Sequence, residues 1–286
     1  MKCGSKGWGW LHGVQLSGRR CVATRWANET GQFQPYRPLP LAALRRRRQN
    51  SGMTDTPNAM PLLDGVERTT GPAPAWTILW LHGLGDSGDG FAPIVPELVR
   101  PGWPALRFVF PHAPLRAVTI NGGMRMRAWY DIAHLDMANR ADEAGVDESI
   151  AQVDALIARE AVRGIPPQRI ILAGFSQGGA VTLAAGLRRK TPLAGLVALS
   201  TYLPAPGKAA DALQPGAERQ PLFMAHGLYD PVIPYAGGEQ SAAIMQRMGF
   251  APAWHRYPMA HQVCTEELND LGDWLEARFA AAPTAG

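Results

Sequence analysis

From residue 76 onward, short runs of consecutive apolar residues alternate with longer segments whose apolar positions recur at helical spacing. This alternation is the feature that most constrains the fold. Runs that are apolar at every position, and not at every second one, are typical of strands buried on both faces of a parallel sheet. Six such strands are predicted, over Trp76–Leu81, Leu106–Phe110, Arg169–Ala173, Gly195–Leu199, Leu222–Ala225 and Ala253–Tyr257.

The segments between these runs have the pattern of amphipathic helices. The clearest is Asp147–Ala161, which places one apolar stripe along its length, formed by Ile150, Val153, Leu156, Ile157 and Ala161. Further helices are predicted over Gly178–Arg189, Glu239–Met248 and Thr265–Phe279. Strands and helices in alternation predict an α/β fold with a mostly parallel central sheet, helices on both faces and right-handed crossovers.

One stretch interrupts the alternation. Residues 111–145 contain two glycine-rich turns, a Met/Arg run and Trp129-Tyr130, and they are too long for an ordinary connection. Loops of this length are usually functional, as lids or as walls of a pocket. We therefore expect a single domain over residues 76–280, with a loop insertion at about residues 111–145.

The amino-terminal part has a different composition. Residues 1–52 carry ten Lys/Arg, among them Arg45–Arg48, and a single acid, and they show no lasting period. A block of like charges repels itself and stays solvated. We expect residues 1–75 to be a disordered basic extension followed by an irregular linker. Met53 opens a segment of different composition and is the start that we favour, with an organelle transit peptide as the alternative.

Composition also excludes several classes of function. No apolar run approaches the roughly 18 residues of a membrane span. Three cysteines without a CxxC spacing predict neither a disulfide framework nor a metal site. The 234 residues after the basic extension carry 18 bases and 23 acids, a net negative charge, so we expect no nucleic-acid partner. Binding to nucleic acid is the alternative, and it would depend on residues 1–52 alone. No secretory signal is recognisable, and we expect a cytoplasmic protein.

The segment Gly174-Phe175-Ser176-Gln177-Gly178 matches the pattern G-x-S-x-G. It follows a predicted strand and precedes a predicted helix, an arrangement in which a sharp turn raises the serine hydroxyl above the carboxyl edge of the sheet. The glycines allow the backbone to crowd there, and the helix N-terminus favours negative charge. We expect Ser176 to be a nucleophile; a solvated serine in an ordinary glycine-rich turn is the alternative.

A nucleophilic serine needs a base, and the base needs an acid that orients it. In α/β-hydrolases the acid and then the base follow the serine along the chain. Asp230 follows the predicted strand Leu222–Ala225 at its carboxyl end, where catalytic groups collect in open α/β sheets. An aspartate that only forms a turn before proline is the alternative. The other aspartates after the serine lie in a surface stretch or in the last predicted helix: Asp211, Asp270 and Asp273.

His261 is the expected base. It lies in a loop between the last strand and the last helix, from which its imidazole can reach the nucleophile. His226 precedes the expected acid in the chain, and His255 falls inside a predicted strand, where a histidine usually packs against the sheet. Cys264 is close to His261, but we expect it to serve packing because a serine occupies the nucleophile position.

A tetrahedral intermediate carries negative charge on the former carbonyl oxygen, and two backbone N–H groups must face it. Gln177, which follows the nucleophile, is expected to supply one, and the loop Leu81–Gly88 after an early strand the other. The glycines of this loop nearly match the dinucleotide pattern G-x-G-x-x-G as well. That alternative is weak, because the next helix is predicted only from about Phe91 and no acid occupies the expected position after the second strand.

Five motifs occur in order along the chain: His82-Gly83-Leu84-Gly85-Asp86, Arg127-Ala128-Trp129-Tyr130-Asp131-Ile132, Ala173-Gly174-Phe175-Ser176-Gln177-Gly178-Gly179-Ala180, Asp230-Pro231-Val232-Ile233-Pro234 and Met259-Ala260-His261. Together they resemble the phospholipase/carboxylesterase family of α/β-hydrolases, over about residues 76–279. The resemblance implies an α/β-hydrolase fold. It also implies a triad of Ser176, Asp230 and His261, oxyanion donors at Leu84 and Gln177, and an acyl pocket at Trp129 and Tyr130.

The expected function is that of a serine hydrolase that needs no cofactor or metal and cleaves small carboxylic esters of short to medium acyl chains through an acyl-enzyme. We expect an apolar pocket walled by Leu84, Trp129 and the insertion. Acyl-protein thioesterase or lysophospholipase activity is the alternative within the same chemistry, with an acylated protein or a lysophospholipid as substrate. A non-catalytic binding protein is the alternative of another class. The sequence leaves open whether the chain forms a homodimer.

Overall fold

The computed structural model describes residues 61–134 and 140–281. The basic extension over residues 1–52 and the favoured start at Met53 lie outside these residues. Within them, a seven-stranded sheet forms the centre of the molecule, and a two-stranded sheet lies beside it. The strands are β1 Gly65–Thr69, β2 Trp76–Leu81, β3 Leu106–Pro111, β4 Leu115–Val118, β5 Met124–Arg127, β6 Ile170–Phe175, β7 Gly195–Leu199, β8 Leu222–Gly227 and β9 Pro252–Tyr257.

The central sheet has the strand order β1-β3-β2-β6-β7-β8-β9, and every neighbouring pair is parallel except β1 with β3. All six predicted strands are confirmed. Their apolar residues alternate between the two faces of the sheet: in β2, Leu79 and Leu81 belong to one core, and Ile78 and Trp80 to the other. Burial on both faces is the reason that these strands are apolar at consecutive positions.

The helices cover these two faces. They are α1 Gly88–Phe91, α2 Val95–Leu98, α3 Glu143–Val162, α4 Gln177–Leu187, α5 Ala209–Ala212, α6 Tyr235–Arg247 and α7 Thr265–Ala281. Helices α3, α4 and α6 pack against one core, and α1, α2 and α7 against the other. The prediction of helices on both faces is confirmed. Helix α3 begins earlier than its apolar stripe because the Asp142 carboxylate accepts a hydrogen bond from the Gly145 N–H and caps it.

Strand β1 corrects the predicted domain boundary. The linker before residue 76 was expected to be irregular, but β1 pairs with β3 in antiparallel register, with Gly65 opposite Pro111. Four of its five residues are exposed, so it lacks the apolar run by which the other strands are recognised. An edge strand depends on backbone hydrogen bonds to one neighbour, and these leave little trace in the sequence. The folded domain therefore begins before residue 76.

The insertion at 111–145 contains regular structure that the sequence did not predict. Strands β4 and β5 form a hairpin whose turn includes Gly122 and Gly123, both with positive φ (65° and 78°). Glycine adopts this conformation without steric cost. The side chains of Leu115 and Met124 are exposed. After the hairpin the chain enters the core, where Ala128–Tyr130 is completely buried beside the carboxyl edge of the central sheet.

Candidate active site

Ser176 occupies the sharp turn between β6 and α4. Its backbone has φ 55° and ψ −118°, a conformation that is strained for a residue with a side chain. Two contacts to the end of β7 hold the turn: the Ser176 N–H donates to the Leu199 carbonyl at 2.9 Å, and the Thr201 hydroxyl donates to the Ser176 carbonyl at 2.6 Å. The sheet thus fixes the serine at its carboxyl edge.

The glycines of this turn are required by close approach of the backbone. A Cβ atom on Gly174 would lie 2.3 Å from the carbonyl carbon of Gly178. A Cβ atom on Gly178 would lie 2.3 Å from the carbonyl oxygen of Leu81, at the end of β2. Such distances are far inside van der Waals contact, so the chain can turn here only with glycine at both positions. The crowding predicted from the G-x-S-x-G pattern is therefore present.

Three side chains predicted from distant parts of the sequence lie together at this edge. The Ser176 Oγ is 2.9 Å from the His261 Nε2, and the His261 Nδ1 is 2.7 Å from the Asp230 Oδ2. Asp230 follows β8, and His261 lies between β9 and α7. The imidazole also packs on the Phe175 ring, with 4.8 Å between ring centroids. Serine, imidazole and carboxylate therefore form a continuous hydrogen-bonded chain.

The carboxylate of Asp230 determines which nitrogen of His261 carries the proton. Its Oδ1 accepts hydrogen bonds from the Val232 N–H at 2.8 Å and the Ile233 N–H at 2.9 Å, which leaves Oδ2 for the imidazole. A carboxylate accepts and does not donate, so the His261 Nδ1 carries the hydrogen and the Nε2 lone pair faces the hydroxyl. The Ser176 Oγ–H can then donate to Nε2.

The two predicted oxyanion donors belong to segments in contact. Gln177 is the first residue of α4. Leu84 follows Gly83, whose missing Cβ would lie 3.4 Å from the Ser176 Cβ. Within the part of the chain that the structure describes, neither the Leu84 nor the Gln177 backbone N–H donates a hydrogen bond. Two free amides next to a serine are the arrangement that stabilises an oxyanion.

The loop after β2 also requires one correction. The sequence placed the next helix at about Phe91, whereas α1 begins at Gly88, the third glycine of the near-match to a dinucleotide motif. The helix is only four residues long. Strand β3 ends in Pro111 and is followed by His112, so the acidic side chain that a dinucleotide site requires after the second strand is not at this position.

His82 shapes the same loop and was not identified as a functional residue from the sequence. The Ala113 N–H donates to its Nε2 at 3.0 Å, so the hydrogen is on Nδ1, which donates to the Gly83 carbonyl at 2.7 Å. Burial lowers the pKa of this imidazole to about 4, outweighing the hydrogen bond to the Gly83 carbonyl, so it is neutral at pH 7. With the Gly83 carbonyl held by His82, the following N–H of Leu84 remains free.

Trp129 and Tyr130 require a correction. The resemblance placed them in the acyl pocket, but both side chains are fully buried, so a substrate cannot contact them. The indole Nε1–H of Trp129 donates to the His82 carbonyl at 2.9 Å. The Tyr130 hydroxyl is 2.8 Å from that of Tyr202, and burial raises its pKa well above the usual value. These residues support the site from behind, and only Leu84 among the three predicted pocket residues is partly exposed.

The side chains set aside in the sequence analysis occupy other positions. His226 is buried beside Asp230, with its Nε2 3.5 Å from Oδ2, and does not contact the serine. His255 lies in β9 and pairs with Asp270 of α7 at 3.3 Å. The remaining three are Asp211, which is exposed in helix α5, Asp273, which is in an ion pair with Arg100, and Cys264, which lies in the core. The elimination that left Asp230 and His261 is thus consistent with the geometry.

Over residues 61–134 and 140–281, no three His, Cys, Asp or Glu side chains are grouped so that they could hold a metal ion. Over the same residues, every helix is too short or too polar to span a bilayer.

The known proteins that are similar to this chain in sequence or fold include thioesterases and carboxylesterases. Acyl-protein thioesterase 1 of Cryptococcus neoformans is 39% identical over 216 residues, which cover 70% of this chain and 90% of that protein. A probable carboxylesterase of Oryza sativa is 36% identical over 208 residues, covering 72% and 78% respectively. The crystal structure of Arabidopsis thaliana SOBER1 has a TM-score of 0.68 at 30% identity and covers 71% of this chain and 98% of its own.

A family model gives the same result over most of the chain. The model described as Phospholipase/Carboxylesterase matches residues 66–278, which include four of the five residues of β1 and all the residues of the site described above. The central sheet and its helices have the architecture of the solved structures at this similarity. The chain therefore belongs to the phospholipase/carboxylesterase family of α/β-hydrolases, a family of esterases and thioesterases.

Proposed function

We propose that this protein is a serine hydrolase that cleaves carboxylic esters of short to medium acyl chains through an acyl-enzyme intermediate. The single observation that carries the proposal is the hydrogen-bonded chain from the Ser176 Oγ through His261 to Asp230, with distances of 2.9 and 2.7 Å. A serine alone is a weak nucleophile at neutral pH, and this chain supplies the base and the group that orients it.

Acylation begins when the substrate carbonyl lies against the Ser176 hydroxyl. The Oγ attacks the carbonyl carbon while the His261 Nε2 takes the hydroxyl proton. The resulting oxyanion is stabilised by the backbone N–H groups of Leu84 and Gln177, each worth a few kcal/mol of barrier. Collapse of the tetrahedral intermediate expels the alcohol, which receives its proton from His261. Asp230 stays ionised and stabilises the imidazolium while it exists.

Deacylation repeats these steps with water as the nucleophile. His261 takes a proton from the water, the hydroxide attacks the acyl carbon, and the second intermediate collapses to release the carboxylic acid. The proton then returns from His261 to the Ser176 oxygen. All groups that transfer protons or stabilise charge in this cycle are supplied by the chain itself.

A thioester substrate is the second candidate. The same steps apply with a thiolate as leaving group, and the 39% identity to an acyl-protein thioesterase favours an S-acylated protein as substrate. Lysophospholipids would use the same chemistry. Kinetic profiling with acyl chains of two to sixteen carbons, on matched esters and thioesters, separates these substrates. A preference of kcat/KM for long-chain thioesters would replace the ester proposal with the thioesterase one.

The enzymatic proposal itself is tested with Ser176→Ala and p-nitrophenyl butyrate. We expect turnover to fall to the background level with an unchanged circular dichroism spectrum, because only the nucleophilic oxygen is removed. Ser241→Ala in α6 is the matched control: its buried hydroxyl is also hydrogen-bonded, donating to the Gly237 carbonyl and accepting the Leu203 N–H, but not to Ser176, Asp230 or His261. Unchanged turnover in Ser176→Ala would refute the proposal and favour a binding protein.

A further inference from the structure

We propose that the side chain of Gln177 is a positioning residue that holds the oxyanion hole together by clamping the nucleophile turn to the buried segment at Trp129 and Tyr130. This proposal rests on the proposed hydrolase function. It assigns a role to the carboxamide of Gln177, which is separate from the expected role of its backbone N–H.

The two ends of the carboxamide bind backbone groups of two consecutive residues. The Oε1 accepts the Trp129 backbone N–H at 2.9 Å, and the Nε2 donates to the Tyr130 carbonyl at 2.7 Å. The residue is only 2% exposed. The partners fix the orientation of the amide, because a flipped group would place an oxygen against a carbonyl and an NH₂ against an N–H. Losing the clamp would leave buried polar groups unpaired.

Trp129 extends this clamp to the other oxyanion donor. Its indole Nε1–H donates to the His82 carbonyl at 2.9 Å, and the Trp129 carbonyl accepts a hydrogen bond from the Ser149 hydroxyl of α3. Leu84 is two residues after His82. A short series of hydrogen bonds therefore runs from Gln177 through Trp129 to the Leu84 loop, and it connects the two segments that carry the free amides.

This connection matters because an oxyanion hole acts through preorganisation. Its donors stabilise the transition state only if they already face the position that the oxyanion will occupy, and a displacement of about 1 Å can cost up to about 10²-fold in rate. Trp129 is fully buried and Gln177 nearly so, so neither side chain offers surface for binding the acyl chain. Loosening the clamp should therefore lower kcat and leave KM little changed.

The chain offers a matched control in Gln220. This glutamine is 1% exposed, and its carboxamide also joins backbone groups: it accepts from Leu193 N–H at 3.1 Å and donates to the Gly186 and Ala217 carbonyls at 2.9 Å each. Gly186 lies at the far end of α4 from the nucleophile. Gln220 thus makes the same kind of buried contact at a distance from the reaction.

The experiment compares Gln177→Ala with Gln220→Ala. For Gln177→Ala we expect kcat on p-nitrophenyl butyrate to fall about 10- to 100-fold with KM within threefold. Affinity for a trifluoromethyl ketone, whose adduct mimics the oxyanion, should fall by a similar factor. Gln220→Ala should lose thermal stability to a similar extent and keep kcat and inhibitor affinity. The proposal is overturned if Gln177→Ala keeps kcat within twofold, or if both variants lose activity equally.

Gln177→Glu provides a second, independent readout. A protonated carboxyl group has one donor and one acceptor, as the carboxamide does, and burial against the Tyr130 carbonyl would raise its pKa. We expect the variant to approach wild-type kcat at low pH and to lose activity as the pH rises and the carboxyl ionises.

Neighbouring groups would not produce that loss. The pKa values of His82 and Tyr130 are shifted so that both stay neutral around pH 7. Any pH effect that the variant has in common with the wild-type enzyme cancels in the ratio of the two kcat profiles. A Gln177→Glu profile parallel to the wild-type profile would overturn the proposal. Absence of turnover in the wild-type protein would instead contradict the hydrolase function. Failure of the hydrolase proposal and failure of the Gln177 proposal are therefore distinguishable.

Discussion

Two histidines flank the carboxylate of Asp230, and they differ in almost every other respect. His261 lies on a loop, is partly exposed, and joins the carboxylate at 2.7 Å to the Ser176 hydroxyl at 2.9 Å. His226 lies in β8, is 1% exposed, and has its Nε2 3.5 Å from the same Oδ2 and 2.9 Å from the Ile233 carbonyl. In the proposed mechanism the first imidazole transfers protons, whereas the second only supports the aspartate.

The two imidazoles share the same acid and differ in burial, and this difference is the physical basis for assigning them different roles. Burial lowers the pKa of His226, a stronger effect than its contacts with Ile233 and Asp230, which act in the opposite direction. Its ring is also confined, since a Cβ atom on Gly238 would lie 2.2 Å from its Nδ1. A neutral, confined ring can hold the turn that contains Asp230. It cannot exchange protons with a substrate.

The largest expected effect is that of His261→Ala. Removing the base should lower kcat by about 10⁶-fold, as expected when one member of a catalytic unit is lost. The free energy of unfolding should change by less than about 1 kcal/mol, because the side chain is partly exposed. Steady-state kinetics and urea unfolding of the same preparation test both statements. A tenfold loss or less would mean that another group acts as base and that the comparison fails.

His226→Gln should lower the stability of the protein clearly and its activity only modestly, the reverse of His261→Ala. Glutamine keeps an N–H donor for the Ile233 carbonyl but loses the packing of the ring, so we expect the free energy of unfolding to fall by about 1–3 kcal/mol. We expect kcat/KM to fall by no more than about tenfold, through a less rigid Asp230.

His255→Gln is the control for this variant. It removes an imidazole from the neighbouring strand β9, where the ring is one-third exposed, and should cost less than about 0.5 kcal/mol. If His226→Gln were as stable as this control but lost kcat by orders of magnitude, His226 would belong to the reacting groups, contrary to the comparison.

The smallest effect concerns acid pH. The folded protein holds His226 neutral below its ordinary pKa of 6.5, whereas the unfolded chain takes up a proton there. The contribution of the neutral ring to stability is therefore complete above pH 6.5 and is lost as the pH falls below it. We expect the stability difference between wild type and His226→Gln to shrink between pH 7.5 and 5, measured by urea unfolding. A constant difference would show that burial does not perturb this imidazole.

Much of the site could be predicted from the order of short motifs along the chain. Ser176, Asp230 and His261 were identified because each follows a strand at the carboxyl edge of a parallel sheet, where loops meet whatever their separation in sequence. The supporting contacts could not be predicted in this way. The carboxamide of Gln177 and the indole of Trp129 form hydrogen bonds with backbone atoms of other segments. No local pattern in the sequence shows which peptide groups become neighbours in the fold.

The errors have a related cause. Trp129 and Tyr130 were placed in the pocket because their segment resembles a family motif, but a motif shows proximity to a site and not which way a side chain faces. Strand β1 and the hairpin of β4 and β5 were missed because exposed strands do not need an apolar run. In each case the deciding quantity was exposure, which depends on the packing of the whole domain.

The sequence by itself determined the α/β class and the positions of the six central strands, and it singled out Ser176, Asp230 and His261 as the candidate nucleophile, acid and base. Burial on both faces of a sheet and a strand–turn–helix around a serine both require local patterns of residues. Only the tertiary structure decided the distances that join these three side chains, which aromatic residues are withdrawn from the surface, and how the segments of Leu84 and Gln177 are linked. These depend on distances between segments far apart in the chain, and such distances are set when the domain packs as a whole.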